Sequence, residues 1–122
     1  MGPACDRAAN GGAPLIALIW CPFPDRDSAR RVVSALFDEK LIACANLIDS
    51  MESHFVWQGE RDTAQETGVL IKTSGELLDV VIERLGALHP YDTPAIVGWP
   101  CDASHPATQD WVGSLGERVD YE

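Results

Sequence analysis

Ser53-His54-Phe55-Val56-Trp57-Gln58-Gly59-Glu60-Arg61-Asp62 decides how this chain folds. Ser53 to Gln58 reads as a strand, with Phe55 and Trp57 on one face because strand side chains alternate. Gly59 and the polar Glu60-Arg61-Asp62 mark a turn. Thr67-Gly68-Val69-Leu70-Ile71-Lys72-Thr73 then reads as the returning strand. A hairpin therefore occupies the middle of the chain, with one strand-and-helix pattern before it and one helix-and-strand pattern after it.

On the N-terminal side, Met1 to Pro14 is rich in Gly, Ala and Pro without a period, which predicts a flexible tail over residues 1–14. Leu15 to Trp20 is a continuous apolar run, the mark of a strand buried inside a sheet. Pro22 and Pro24 break it, and Asp25 is placed to cap a helix with Asp27 in its first turn. Ala29, Val32, Val33, Leu36 and Phe37 give that helix one apolar face, ending near Lys40. A second apolar run, Leu41 to Ile48, leads through Asp49-Ser50 into the hairpin.

On the C-terminal side, Ser74 is placed to cap a helix whose buried stripe is Leu77, Leu78, Val81, Leu85 and Leu88. His89-Pro90-Tyr91-Asp92-Thr93-Pro94 follows as a stiff connection. Its prolines fix φ at two points and push His89 and Thr93 toward extended backbone. Ala95 to Trp99 predicts a fourth strand, and Pro106 suits the first turn of a terminal helix with Trp111, Val112 and Leu115 facing inward. The order β-α-β-β-α-β plus a terminal helix is an α+β, ferredoxin-like arrangement: an antiparallel sheet with two helices on one face, formed by residues 15–122 as one domain. Two helices cover only one face of such a sheet. Phe55, Trp57 and Trp99 add apolar area on strands, so self-association with closed symmetry is expected. Leu41 to Gln58 is long for one strand, which predicts a bent or bulged strand reaching beyond its own subunit.

A formal net charge of −10, with nine scattered basic residues, argues against nucleic acid and anionic membrane as partners. The longest clean apolar run, Leu15 to Cys21, is too short to span a bilayer. Residues 1–14 lack the pattern of a signal peptide, so a cytoplasmic location with reduced thiols is expected. The four cysteines, Cys5, Cys21, Cys44 and Cys101, form no Cys-x-x-Cys pair, which removes support for a structural zinc site. Phosphate-loop and dinucleotide fingerprints are also missing, and no organic cofactor is expected.

Taken in order, these pieces resemble the divalent-ion tolerance family, the CutA proteins. The resemblance rests on Trp20-Cys21-Pro22 with Asp25, on Leu41-Ile42-Ala43-Cys44-Ala45-Asn46, and on Ser53, Trp57 and Gly59. It continues through Glu66 with Ile71-Lys72-Thr73, the His89 to Pro94 loop and Trp111, and covers roughly residues 15 to 117. It implies a ferredoxin-like subunit in a tight homotrimer similar to the PII signalling proteins. It also implies a role in tolerance of copper and other divalent metals, with metal binding in some members. One departure bears on chemistry: the family commonly has a glutamate after the loop's second proline, and here that position is Ala95.

In such a fold Cys21, at the exit of the first strand, and His89, after the second helix, lie on the same side of the subunit. A thiolate and an imidazole suit copper, and a third ligand would come from a neighbouring subunit, Asp92 or water. The alternative is a half-buried cysteine beside a histidine bonded to the backbone. A Cys21–His89 nucleophile lacks a local oxyanion or orienting signature, so no enzyme activity is expected. A second possibility is ligand sensing by the family-matching Trp57, Glu66, Lys72 and Tyr91 in a cleft between subunits. A third is a trimeric scaffold that docks onto another protein.

Overall fold

The computed structural model describes residues 15–115. The expected tail, residues 1–14, lies outside them. The elements are β1 (Ile16–Phe23), α1 (Arg26–Asp38), β2 (Cys44–Trp57), β3 (Glu60–Ser74), α2 (Leu78–Leu88), β4 (Val97–Pro100) and α3 (Pro106–Gly113), with a 3-10 turn, Gly75–Leu77, leading into α2. The four strands make one sheet in the order β2-β3-β1-β4, antiparallel at every pairing. This is the ferredoxin-like order expected from the chain.

Strand alternation sorts the side chains. Ile19, Cys21 and Phe23 of β1, with Val69 and Ile71 of β3, face α1 and α2 and are fully buried among Val32, Leu36, Val81 and Leu85. The opposite face carries rows that run straight across the register: Cys44, Lys72, Leu18 and Trp99, then Asn46, Leu70, Trp20 and Val97. Ile16 lies on this second face by alternation and is buried, as is Val112. α3 packs against β1 and β3 and so closes that end of it. The rest stays open, with Ile48, Val97 and Trp99 exposed.

Local chemistry explains the boundaries. Asp25 caps α1, its Oδ1 accepting from the Ser28 N–H at 2.7 Å. The helix ends in a Schellman pattern: the Leu41 N–H donates to the Leu36 carbonyl at 3.0 Å and the Lys40 N–H to the Phe37 carbonyl at 2.9 Å. Lys40 therefore takes a left-handed conformation, with φ of 61°. In β2, Asp49 and Ser50 stand opposite the single residue Thr67, a bulge that bends the strand as expected. Beyond it the hairpin continues from Met51↔Glu66 to Trp57↔Glu60, while β1 reaches only Thr67. Residues 51–66 thus form a two-stranded arm about 23 Å long that pairs only with itself.

Four local expectations are corrected. Glu60-Arg61-Asp62 is strand, not turn, and β3 begins at Glu60 rather than Thr67; the reversal is Gln58-Gly59, both at positive φ (53° and 81°), as in a tight I′ hairpin. The Ser74 side chain makes no capping bond, because the 3-10 turn intervenes before α2. β4 starts at Val97, two residues later than Ala95, since its pairing with β1 begins at Trp20↔Val97. Trp111 is 50% exposed, because a short helix with Val112 turned inward leaves its neighbour on the flank.

Candidate functional site

Three connections meet near the end of β1: the Cys21-Pro22-Phe23 exit, the loop after α2 and the bulged middle of the β2–β3 pair. α2 stops at His89 because Pro90 holds it extended, at φ −68° and ψ 142°. That backbone swings the imidazole across to β1. The ring stacks on Phe23 with centroids 4.2 Å apart, and Tyr91 lies tilted on it at 5.0 Å.

Both ring nitrogens of His89 are engaged by main chain. The Tyr91 N–H donates to Nδ1 at 3.1 Å, which leaves the proton on Nε2, and Nε2–H donates to the Pro22 carbonyl at 2.8 Å. Only the neutral tautomer satisfies both. The residue is 7% exposed, and burial holds its pKa below the ordinary 6.5 although the Pro22 bond and the Glu66 charge act the other way.

Cys21 is fully buried on the helix face, and burial, with Glu66 adding, pushes its thiol up to about 12. It is a neutral core thiol at physiological pH. Glu66 also accepts from the Tyr91 hydroxyl at 2.8 Å. Burial and that carboxylate push the phenol up to about 12.

Beside this cluster opens a shallow groove of about 440 Å³ between the N-terminus of α1 and the bulge, lined by Asp25, Arg26, Asp27, Asp49 and Glu66 among others. Two of its acids already have partners: Arg26 pairs with Asp49, Thr67 donates to Asp49 at 3.4 Å, and Asp25 is occupied by the helix end. The Arg26–Asp49 pair was not legible in the chain, because it depends on the bulge placing Asp49 next to a helix start 23 residues earlier.

The structure thus brings Cys21, Glu66, His89 and Tyr91 together. It does not bring in Trp57, which is 52% exposed at the tip of the arm, or Lys72, which lies six residues beyond Glu66 on β3. Their spacing along an extended strand is about 20 Å in each direction. Nor does the cluster fit a metal within one subunit. His89 has no free lone pair, the Cys21 thiol is fully buried on the helix face, and Ala95 supplies no donor. Among the described residues no group of three or more His, Cys, Asp or Glu is arranged to hold an ion.

A family model for the CutA1 divalent ion tolerance protein matches residues 17–114. The divalent-cation tolerance protein CutA of Pyrococcus horikoshii is 41% identical over 80 residues, covering 66% of this chain and 78% of that protein. The protein of the same description from Thermus thermophilus is 37% identical over 89 residues, 73% of this chain and 86% of its own length. In structure, the divalent ion tolerance protein CutA1 of Ehrlichia chaffeensis superposes with a TM-score of 0.79 at 31% identity, over 85% of this chain and 97% of that one. A match over nearly the whole domain, with the same fold, is decisive: this chain belongs to the CutA1 divalent ion tolerance family.

Proposed function

We propose that the protein acts in tolerance of divalent cations, copper among them, as a homotrimer that meets these ions weakly and catalyses no reaction. The observation that carries this reading is the self-paired arm, residues 51–66, which ends in Phe55, Val56 and Trp57 with Val56 67% exposed. With the open sheet face around Trp99 it supplies an apolar surface that a second and third copy would cover. The charge of −10 supports weak cation contact by raising the local cation concentration without a built site.

The test is native mass together with copper uptake by equilibrium dialysis. The expected mass is three times the 13.3 kDa subunit, falling to one subunit in Phe55→Ser/Trp57→Ser. Weak copper uptake should persist in Cys21→Ser/His89→Ala. A well-folded wild-type monomer would overturn the assembly, and uptake lost in the double variant would return the metal to the loop.

The Tyr91–Glu66 contact favours a second reading, small-ligand sensing at the mouth of the groove. It calls for thermal stabilisation by an added small cation that disappears in Glu66→Gln and survives in Lys72→Ala.

A further inference from the structure

We propose that His89 is a clasp that works only when neutral: it fastens the loop over residues 89–94 to the end of β1, and uptake of a proton by its ring unfastens the loop and frees Glu66. The geometry carries this. One imidazole holds two main-chain partners from distant parts of the chain, donating to Pro22 at 2.8 Å and accepting from Tyr91 at 3.1 Å. The ring stacks on Phe23 and has Tyr91 tilted against it, so turning it toward other partners would disturb both contacts. A second ring proton would sit on Nδ1, aimed at the Tyr91 N–H. Two donors would then face each other in a buried place, an arrangement that is relieved only by moving Tyr91 away.

Tyr91 is the link to the groove. Its hydroxyl donates to Glu66 Oε2 at 2.8 Å and so covers that carboxylate. When the Tyr91 backbone lets go of the ring, the phenol goes with it, and Glu66 turns to solvent at the rim of the groove.

The groups facing His89 set where this happens. The nearest titratable group of β1, Cys21, stays neutral and adds no charge. From β3 it is Glu66, whose charge favours the protonated ring. From its own loop it is Tyr91, also neutral, with Asp25 of the α1 cap acting on that phenol. Burial outweighs the carboxylate, so the folded ring takes its proton at lower pH than the ordinary 6.5. The sign follows. A histidine whose folded pKa is depressed lends stability to the closed loop above 6.5, and loses it as pH falls through the folded value. This clasp lies within one subunit and rests on neither metal uptake nor assembly.

The test is NMR on the full chain, following the His89 ring and the amide-exchange protection of Tyr91 from neutral to acid pH. The expected result is one shared midpoint below 6.5. Tyr91 protection should fall there roughly tenfold for each pH unit by which the ring titrates below a free imidazole, while Ile71 in β3 stays protected. His89→Gln offers one donor and one acceptor without titrating, so Tyr91 protection should become independent of pH in this range. Glu66→Gln should lower the midpoint and keep the loss. Tyr91 protection that is unchanged across the His89 midpoint, or a loss that persists in His89→Gln or vanishes in Glu66→Gln, would overturn the clasp. If His89→Gln does not fold, the coincidence of the two wild-type midpoints decides alone.

Discussion

The indole of Trp20 lies directly across Gly68. A Cβ built on Gly68 would meet Trp20 Cζ2 and Met51 Sδ at 3.0 Å, with another indole carbon closer still. The contact is on the second sheet face, where β1 and β3 pair as Pro22↔Gly68 and Trp20↔Leu70. Glycine is therefore required for space, not for backbone freedom. Gly68→Ala should force the ring off β3 and cost roughly 1–3 kcal/mol, read as a lower denaturant midpoint with an altered near-UV signal from tryptophan. An unchanged midpoint would mean that the indole moves freely.

Ile71 sits at the centre of the main core, fully buried and paired with Ile19 on one side and Ala45 on the other. Ile71→Ala leaves a cavity that three strands and two helices cannot close together. The expected loss is about 2–5 kcal/mol by equilibrium denaturation, against roughly 0.5–1.5 kcal/mol for Ile71→Val.

Alkaline pH should weaken the fold. Cys21 goes from an ordinary 9.0 to about 12 in the folded chain, and Tyr91 from 10.0 to about 12. In both cases the folded protein keeps a proton that the unfolded chain has already lost. Their contribution is complete below the unfolded values and is lost as pH rises toward 12. Denaturant midpoints compared at about pH 8 and about pH 11 should fall, and Cys21→Ala should remove part of that slope.

Lys40 holds a left-handed conformation at the end of α1, with φ of 61°. A side chain there crowds the following carbonyl, and glycine does not. Lys40→Gly should raise stability by about 0.5–1 kcal/mol and Lys40→Val should lower it, both measurable as denaturant midpoints.

How far the chain disclosed all this depends on the range of the interaction. Apolar period and proline position are local, and they were enough for the order of strands and helices, the α1 cap at Asp25 and the extended backbone at His89. The strand over Glu60 to Glu66 is not legible for the same reason: all its residues but Ala64 are polar, and what makes them strand is the pairing with Met51 to Trp57, which no local pattern records. The helix pattern after Pro106 puts Trp111 inward together with Val112, yet a short helix has one inner face and Val112 occupies it.

The candidate site divides along the same line. That Cys21 and His89 belong on one side of the subunit follows from topology, and topology follows from the sequence pattern. The partners and burial of the two residues come from tertiary structure. The Pro22 carbonyl that takes the His89 proton lies 67 residues away in the chain, and the burial that keeps Cys21 protonated comes from helices packed over it. Sequence determines which elements form because hydrogen-bond ladders and apolar stripes are short-range. It does not determine the state of a thiol or an imidazole, because proton affinity depends on whatever the completed fold places within a few ångströms.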